Sequence, residues 1–188
     1  MTLFDEAIRF AAEKHSGMLR KQEGIPYILH PMEVAVIVGT LTGDEEVLAA
    51  AVLHDTVEDT DTTPEELLRR FGPRVAALVA SETERAHPEL PRSESWRVRK
   101  EESLEALKNA PDPAVRMIWL GDKLSNMRSF HRAWAAEGSG LWARFNQKDP
   151  AQQAWYYRAL DALFADMEDS FARQEFHALV ETVFGDIP

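Results

Sequence analysis

The sequence contains no cysteine. Disulfides, thiolate nucleophiles and cysteine-ligated zinc are therefore excluded. No apolar run reaches the roughly 18 residues a transmembrane helix needs. Met1 to Lys14 has neither the apolar core of a secretory signal nor the Arg-rich, acid-poor character of a transit peptide, because Asp5, Glu6 and Glu13 interrupt it. Basic residues are scarce beside acids: 21 Lys and Arg against 32 Asp and Glu in 188 residues, a net charge of −11. That balance argues against general binding to nucleic-acid backbone, which needs clustered cations. It leaves room for a small anionic substrate in a local basic pocket. A cytoplasmic soluble protein with no membrane and no nucleic-acid partner is the expectation.

Alternating strand patterns with hairpin turns are also lacking. What is present reads as helices. Leu3, Phe4, Ala7, Ile8, Ala11 and Ala12 fall on one helical face, with Thr2 as N-cap. A Gly- and Pro-containing loop follows to Pro31, then a helix to Leu41. Thr42-Gly43-Asp44 breaks the chain, and Glu45 to Val57 is almost continuously apolar, as expected of a central buried helix. Thr63-Pro64-Glu65-Glu66 opens another helix, which stops near Phe71-Gly72-Pro73 and is followed by one from Pro73 to Thr83. Further helices are expected over Ser93–Asn109, from Asp112-Pro113 to a break at Gly138-Ser139-Gly140, over Pro150–Glu168 and over Ala172–Phe184. The prediction is an all-α, single domain over 1–188 with about nine or ten helices. Leu141, Trp142, Trp134 and Trp155 fit either its core or the interface of a homo-oligomer.

The chemistry concentrates in Leu53-His54-Asp55-Thr56-Val57-Glu58-Asp59-Thr60. Polar groups closing a buried helix are expensive unless paired. A divalent cation would pair them, and imidazole with carboxylate suits Mn, Fe, Co, Zn or Mg. A His-Asp pair alone is a weak signal. His30, at the mouth of the next helix in Tyr27-Ile28-Leu29-His30-Pro31, and Asp122, which interrupts the apolar side of a long helix, could complete a ligand set or could cap and pair within the fold.

His30, His54-Asp55 and Asp122 resemble the H…HD…D signature of the HD-domain metal-dependent phosphohydrolases. Arg20-Lys21, Gly24–Pro31 (GIPYILHP), LHDTVEDTDTT and GDKLSNMR are similar to the hydrolase domain of RelA/SpoT-type enzymes, above all their small stand-alone form, which degrades the alarmone (p)ppGpp of the stringent response. The resemblance covers roughly Leu3 to Arg132, the motif-bearing core, with helices 150–184 expected to pack on it. It implies one Mn²⁺ held by His30, His54, Asp55 and Asp122. Glu58 and Asp59 would orient and activate the attacking water. Arg20 would stack on guanine and Lys21 would meet phosphate. Asn126 would lie near the base or ribose, Lys123 and Arg128 at basic positions of the same helix, and Tyr156 or Tyr157 near the substrate. The reaction implied is removal of pyrophosphate from the 3′ position of guanosine 3′,5′-bis(diphosphate). With no synthetase domain after Pro188, a degradation-only enzyme is expected.

There are departures from the family pattern. The family usually has Ala where Gly121 stands, a change expected only to loosen packing. Ser81 to Lys100 also differs, and its Arg97, Arg99 and Lys100 could be phosphate contacts or a solvated face. Two rival readings remain: a phosphohydrolase for another nucleotide or a phosphorylated dinucleotide cofactor, and a non-catalytic nucleotide sensor on the same scaffold.

Overall fold

The computed structural model describes residues 1–20, 23–85 and 87–187. It is 73% helical and has no strand among the described residues, so the all-α expectation holds. The α-helices are α1 (Leu3–Lys14), α2 (Leu29–Gly39), α3 (Glu45–Leu53), α4 (Thr56–Asp59), α5 (Pro64–Glu82), α6 (Arg92–Lys108), α7 (Pro113–Glu137), α8 (Pro150–Leu163) and α9 (Phe171–Phe184). None is long and apolar enough to cross a membrane.

The starts follow local chemistry. Thr2 and Asp5 cap α1 reciprocally, the Thr2 hydroxyl accepting from the Asp5 N–H and the Asp5 carboxylate from the Thr2 N–H. Asp44, Thr63, Asp149 and Ser170 each accept a first-turn N–H of their helices. At Gly72, φ is +86° and ψ 171°, a conformation open only to glycine; it kinks α5 where the sequence places a stop, and Pro73 restarts the helix.

Three boundaries differ from expectation. Helix α2 begins already at Leu29, because Pro26 and Tyr27 carbonyls accept from Leu29 and His30 N–H. Pro31 then falls in the first turn, where its missing N–H costs nothing. Helix α8 stops at Leu163, and the buried Phe164 turns the chain edge-on to Phe176. Helix α3 ends at Leu53 instead of running to Val57. Its last carbonyls are taken by side chains: Ala51 by His54 Nδ1 at 2.9 Å and Leu53 by the Thr56 hydroxyl at 2.6 Å.

The chain divides into two compact units, each with its own core. One comprises Met1–Glu84 and Ala110–Asp122. Its centre is α3, which packs on α1, α2 and α5. Ala49, Ala50, Ala51, Val52 and Leu53 are fully buried, and the three alanines let neighbouring helices come close. The other unit comprises Arg85–Asn109 and Lys123–Pro188, where α8 packs on α6 and α9. There Trp142 stacks on Phe184 and Tyr157 on the same ring, so Leu141 and Trp142 are core residues. Trp155 lies beneath the Arg97 guanidinium, 3.3 Å from its ring centre.

Gly121 corrects the expectation of loosened packing. A Cβ built there would lie 2.8 Å from Val38 Cγ2 and 3.2 Å from Val34 Cγ1. The valines of α2 fill the space an alanine would use, so the glycine sits at a close approach of α7 to α2. Gly121→Ala is therefore expected to lower stability by about 1–3 kcal/mol through overpacking. On a Val38→Ala background the same change should cost clearly less, since the clash is shared by that pair. Denaturant unfolding of the four proteins measures both values, and equal costs on the two backgrounds would count against the close approach.

Candidate metal centre

Four elements of the first unit meet at one point. The loop before α2, pinned by an antiparallel bridge between Leu19 and Pro26, delivers His30 in the first turn of α2. The end of α3 delivers His54 and Asp55, and α7 delivers Asp122. His30, His54 and Asp122 are buried, with exposures of 4%, 2% and 5%. Each offers a donor atom, and the three donors lie within 4.8 Å of one another. Asp122 Oδ1 is 3.1 Å from His30 Nε2 and 3.7 Å from His54 Nε2. Asp55 joins them, its Oδ1 3.2 Å from His54 Nε2 and its Oδ2 3.5 Å from His30 Nε2.

These residues fit a divalent cation. The Ala51 carbonyl can only accept, so His54 Nδ1 carries a proton and Nε2 faces the carboxylates. A backbone carbonyl fixing one ring nitrogen is the usual support of a metal-ligating histidine. His54 Nε2 is buried and makes no hydrogen bond of good geometry among the described residues. Burial pushes the His54 pKa down, but Asp55 and Asp122 more than offset it, leaving it well above the ordinary imidazole value. Asp55 shows the converse: burial raises its pKa, while His54 and then His30 hold it far below the usual carboxylate range. The cluster thus has the field of a cation site: the buried Asp122 and half-buried Asp55 carboxylates demand positive charge between two imidazole nitrogens.

Two residues that received no role from the sequence stand against this cluster. The Tyr27 hydroxyl lies 2.7 Å from Asp55 Oδ2 and 2.5 Å from Asp59 Oδ2. Its ring stacks on His15, with centres 4.9 Å apart and planes 29° from parallel. His15 is 2% exposed, and neither ring nitrogen has a hydrogen-bond partner among the described residues. A signal was available for His15: it continues the buried stripe Ala7–Ala11 at a spacing of four, an odd place for an imidazole. Tyr27 sits within the GIPYILHP word, but only the loop's fold aims it.

The other expected residues are distributed as follows. Glu58 and Asp59 are exposed on the single turn α4. Lys14 ties the following loop to α1 through Asp61 at 2.8 Å. Arg20 is 8% exposed and its Nε lies 3.2 Å from Glu23. Lys21 lies outside the described residues. Lys123, Asn126, Arg128 and Tyr156 belong to the second unit. Arg128 there forms a two-pronged pair with Glu175, both distances 2.7 Å. Tyr156 is buried, with the Lys100 ammonium 4.7 Å above its ring. Arg97 holds Trp155, Gln152 and Glu101, a packing role.

Comparison with known proteins identifies the family. The HD domain family model matches residues 7–151. A guanosine-3′,5′-bis(diphosphate) 3′-pyrophosphohydrolase of Aquifex aeolicus is 42% identical over 123 residues, which is 65% of this chain and 17% of that one. The chain thus spans only about a sixth of that relative. The guanosine-3′,5′-bis(diphosphate) 3′-pyrophosphohydrolase MESH1 of Danio rerio is 43% identical over 142 residues, covering 70% of this chain and 73% of its own. The solved structure of a metazoan ortholog of SpoT, described as hydrolysing ppGpp and acting in starvation responses, superposes with a TM-score of 0.71 at 28% identity, over 98% of this chain and 95% of its own. With the family model running through the His30, His54-Asp55 and Asp122 cluster, the chain belongs to the HD-domain family.

Proposed function

We propose that the protein is a Mn²⁺-dependent hydrolase that removes pyrophosphate from the 3′ position of guanosine 3′,5′-bis(diphosphate). The observation that carries this reading is the buried cluster of His30, His54 and Asp122 in a chain 43% identical to a relative bearing that activity in its name. We take 1–188 as one HD domain, since the family match runs through both units.

His30, His54, Asp55 and Asp122 would hold the cation. When bound, it supplies Lewis acidity toward a phosphoryl oxygen and the attacking water. Glu58, exposed at the end of the ligand-bearing segment, is suited to take the water's proton. Asp59, held by Tyr27, orients that water. The water oxygen joins the phosphorus, the bond from phosphorus to the ribose 3′ oxygen breaks, and that oxygen leaves as a hydroxyl. The products are GDP and pyrophosphate. Arg20 has the planar cation suited to stacking on guanine or to forked phosphate contact, for which it would exchange its partner Glu23. Lys21, Lys123, Asn126 and Tyr156 rest on the resemblance alone as substrate residues. Arg128, engaged with Glu175, fits a structural role better.

Metal-stripped protein reloaded with Mn²⁺ and mixed with ppGpp is expected to release GDP and pyrophosphate in equal amounts. An Asp55→Ala protein should release neither. Wild-type protein that binds metal yet releases nothing would end the substrate reading and send the search to 2′- and 3′-phosphorylated cofactors.

Glu58→Gln keeps shape and removes the base. It should lower kcat by about 10²–10⁴-fold while leaving metal affinity within about three-fold, as general-base loss predicts. Steady-state kinetics beside a metal titration checks this. Unchanged turnover would reassign the base.

A further inference from the structure

Tyr27 has one hydroxyl proton and two carboxylates to serve, Asp55 Oδ2 at 2.7 Å and Asp59 Oδ2 at 2.5 Å. Burial, followed by the charge of Asp55 and the hydrogen bond to Asp59, pushes its pKa far above the ordinary phenol value, so it stays a donor. The hydroxyl also divides the work of Asp55. With Oδ2 held by Tyr27 and 3.5 Å from His30 Nε2, Oδ1 is the oxygen presented to His54 at 3.2 Å.

The phenol is itself held in place. Its backbone N–H donates to the Met18 carbonyl at 2.9 Å, across the loop closed by the Leu19–Pro26 bridge. Its ring face rests on His15. Burial lowers the His15 pKa against the pull of Asp55 and Asp59, which disfavours a charge on the flat ring beneath the phenol.

We propose that Tyr27, seated on His15, is a positioning residue that couples Asp55 to Asp59. One hydroxyl sets both the carboxylate that faces the cation and the carboxylate that faces the attacking water. The inference rests on the metal centre and reaction of the proposed function. It adds that the two acids are aligned by a single shared donor. Without the hydroxyl, Asp55 can turn to exchange its oxygens. Asp59 then loses the one side-chain hydrogen bond it has among the described residues and is repelled by Asp55.

The test is Tyr27→Phe, which removes one oxygen and keeps the stacked ring. Mn²⁺ affinity of the metal-free protein, measured by competition with a chromogenic chelator, should fall by about 10-fold, within the 10–100-fold typical of supports behind a ligand. With ppGpp at saturating Mn²⁺, kcat should fall by about 10–100-fold and KM should stay within about two-fold. The metal-free thermal midpoint should move by less than about 3 °C. On an Asp59→Asn background the same change should lower kcat by clearly less than it does in the wild type, because the part of its effect that runs through Asp59 is already lost. Wild-type affinity and kcat in the Phe protein would overturn the proposal. So would losses that multiply fully on the Asp59→Asn background, or that accompany a large fall in the metal-free midpoint. If wild-type protein binds Mn²⁺ but leaves ppGpp intact, the substrate reading fails alone, and the affinity arm still decides the role of Tyr27.

Discussion

Two carboxylates and two imidazoles are packed within a few ångströms of one another in a protein interior, and the surrounding fold is organised around making that tolerable. Charges taken out of water are costly unless they are paired and hydrogen-bonded. Asp122 answers to both His30 and His54, and Asp55 does the same from the other side. The mutual dependence explains why His54 is pulled well above the ordinary imidazole pKa despite full burial. It also explains why a cation suits the place: it would neutralise the carboxylates and accept both nitrogen lone pairs at once.

The backbone arrangement serves the same end. Helix α3 carries an apolar core and must then present polar groups immediately. It does so by stopping at Leu53 and handing its carbonyls to His54 and Thr56. Termination and ligand orientation are thus one event, since the bond that caps Ala51 also fixes the imidazole. Gly121 does comparable work on α7. Its missing side chain lets Val34 and Val38 of α2 sit against the helix one residue before Asp122. Helix α2 also carries His30, so the close approach brings the backbones of two candidate ligands together.

Much of this was legible in the sequence. Helix starts were read correctly at Thr2, Asp44, Thr63 and Pro150 because capping and first-turn proline are local chemistry. His30, His54-Asp55 and Asp122 stood out as candidate ligands through the family resemblance, since their residue types and positions alone left capping and pairing open. The end of α3 was not, because hydrophobic pattern continues to Val57 while side-chain bonds to the backbone end the helix earlier. Gly121 was misread because its meaning lies in the valines opposite, which no local pattern reveals. The basic and aromatic residues were the least legible. Arg97 and Arg128 carry charge that suits phosphate, yet their partners are Trp155 and Glu175, set by helix packing in their own unit.

On the proposed reading, Tyr27 and His15 give the site a support beyond its four candidate ligands. The ligand set fixes where charge sits, but a carboxylate has two oxygens and a free torsion. Something must set how the two Asp55 oxygens are shared between His30 and His54. A neutral donor suits that task better than a cation: an Arg or Lys beside Asp55 would compete with the metal for its charge, whereas a phenol lends one hydrogen bond and leaves the charge in place. The phenol in turn needs a support that brings no charge of its own. The His15 imidazole, its pKa lowered by burial, provides one. That order, from charged ligands through a neutral donor to an apolar seat, accounts for an otherwise unpartnered histidine on the buried face of α1.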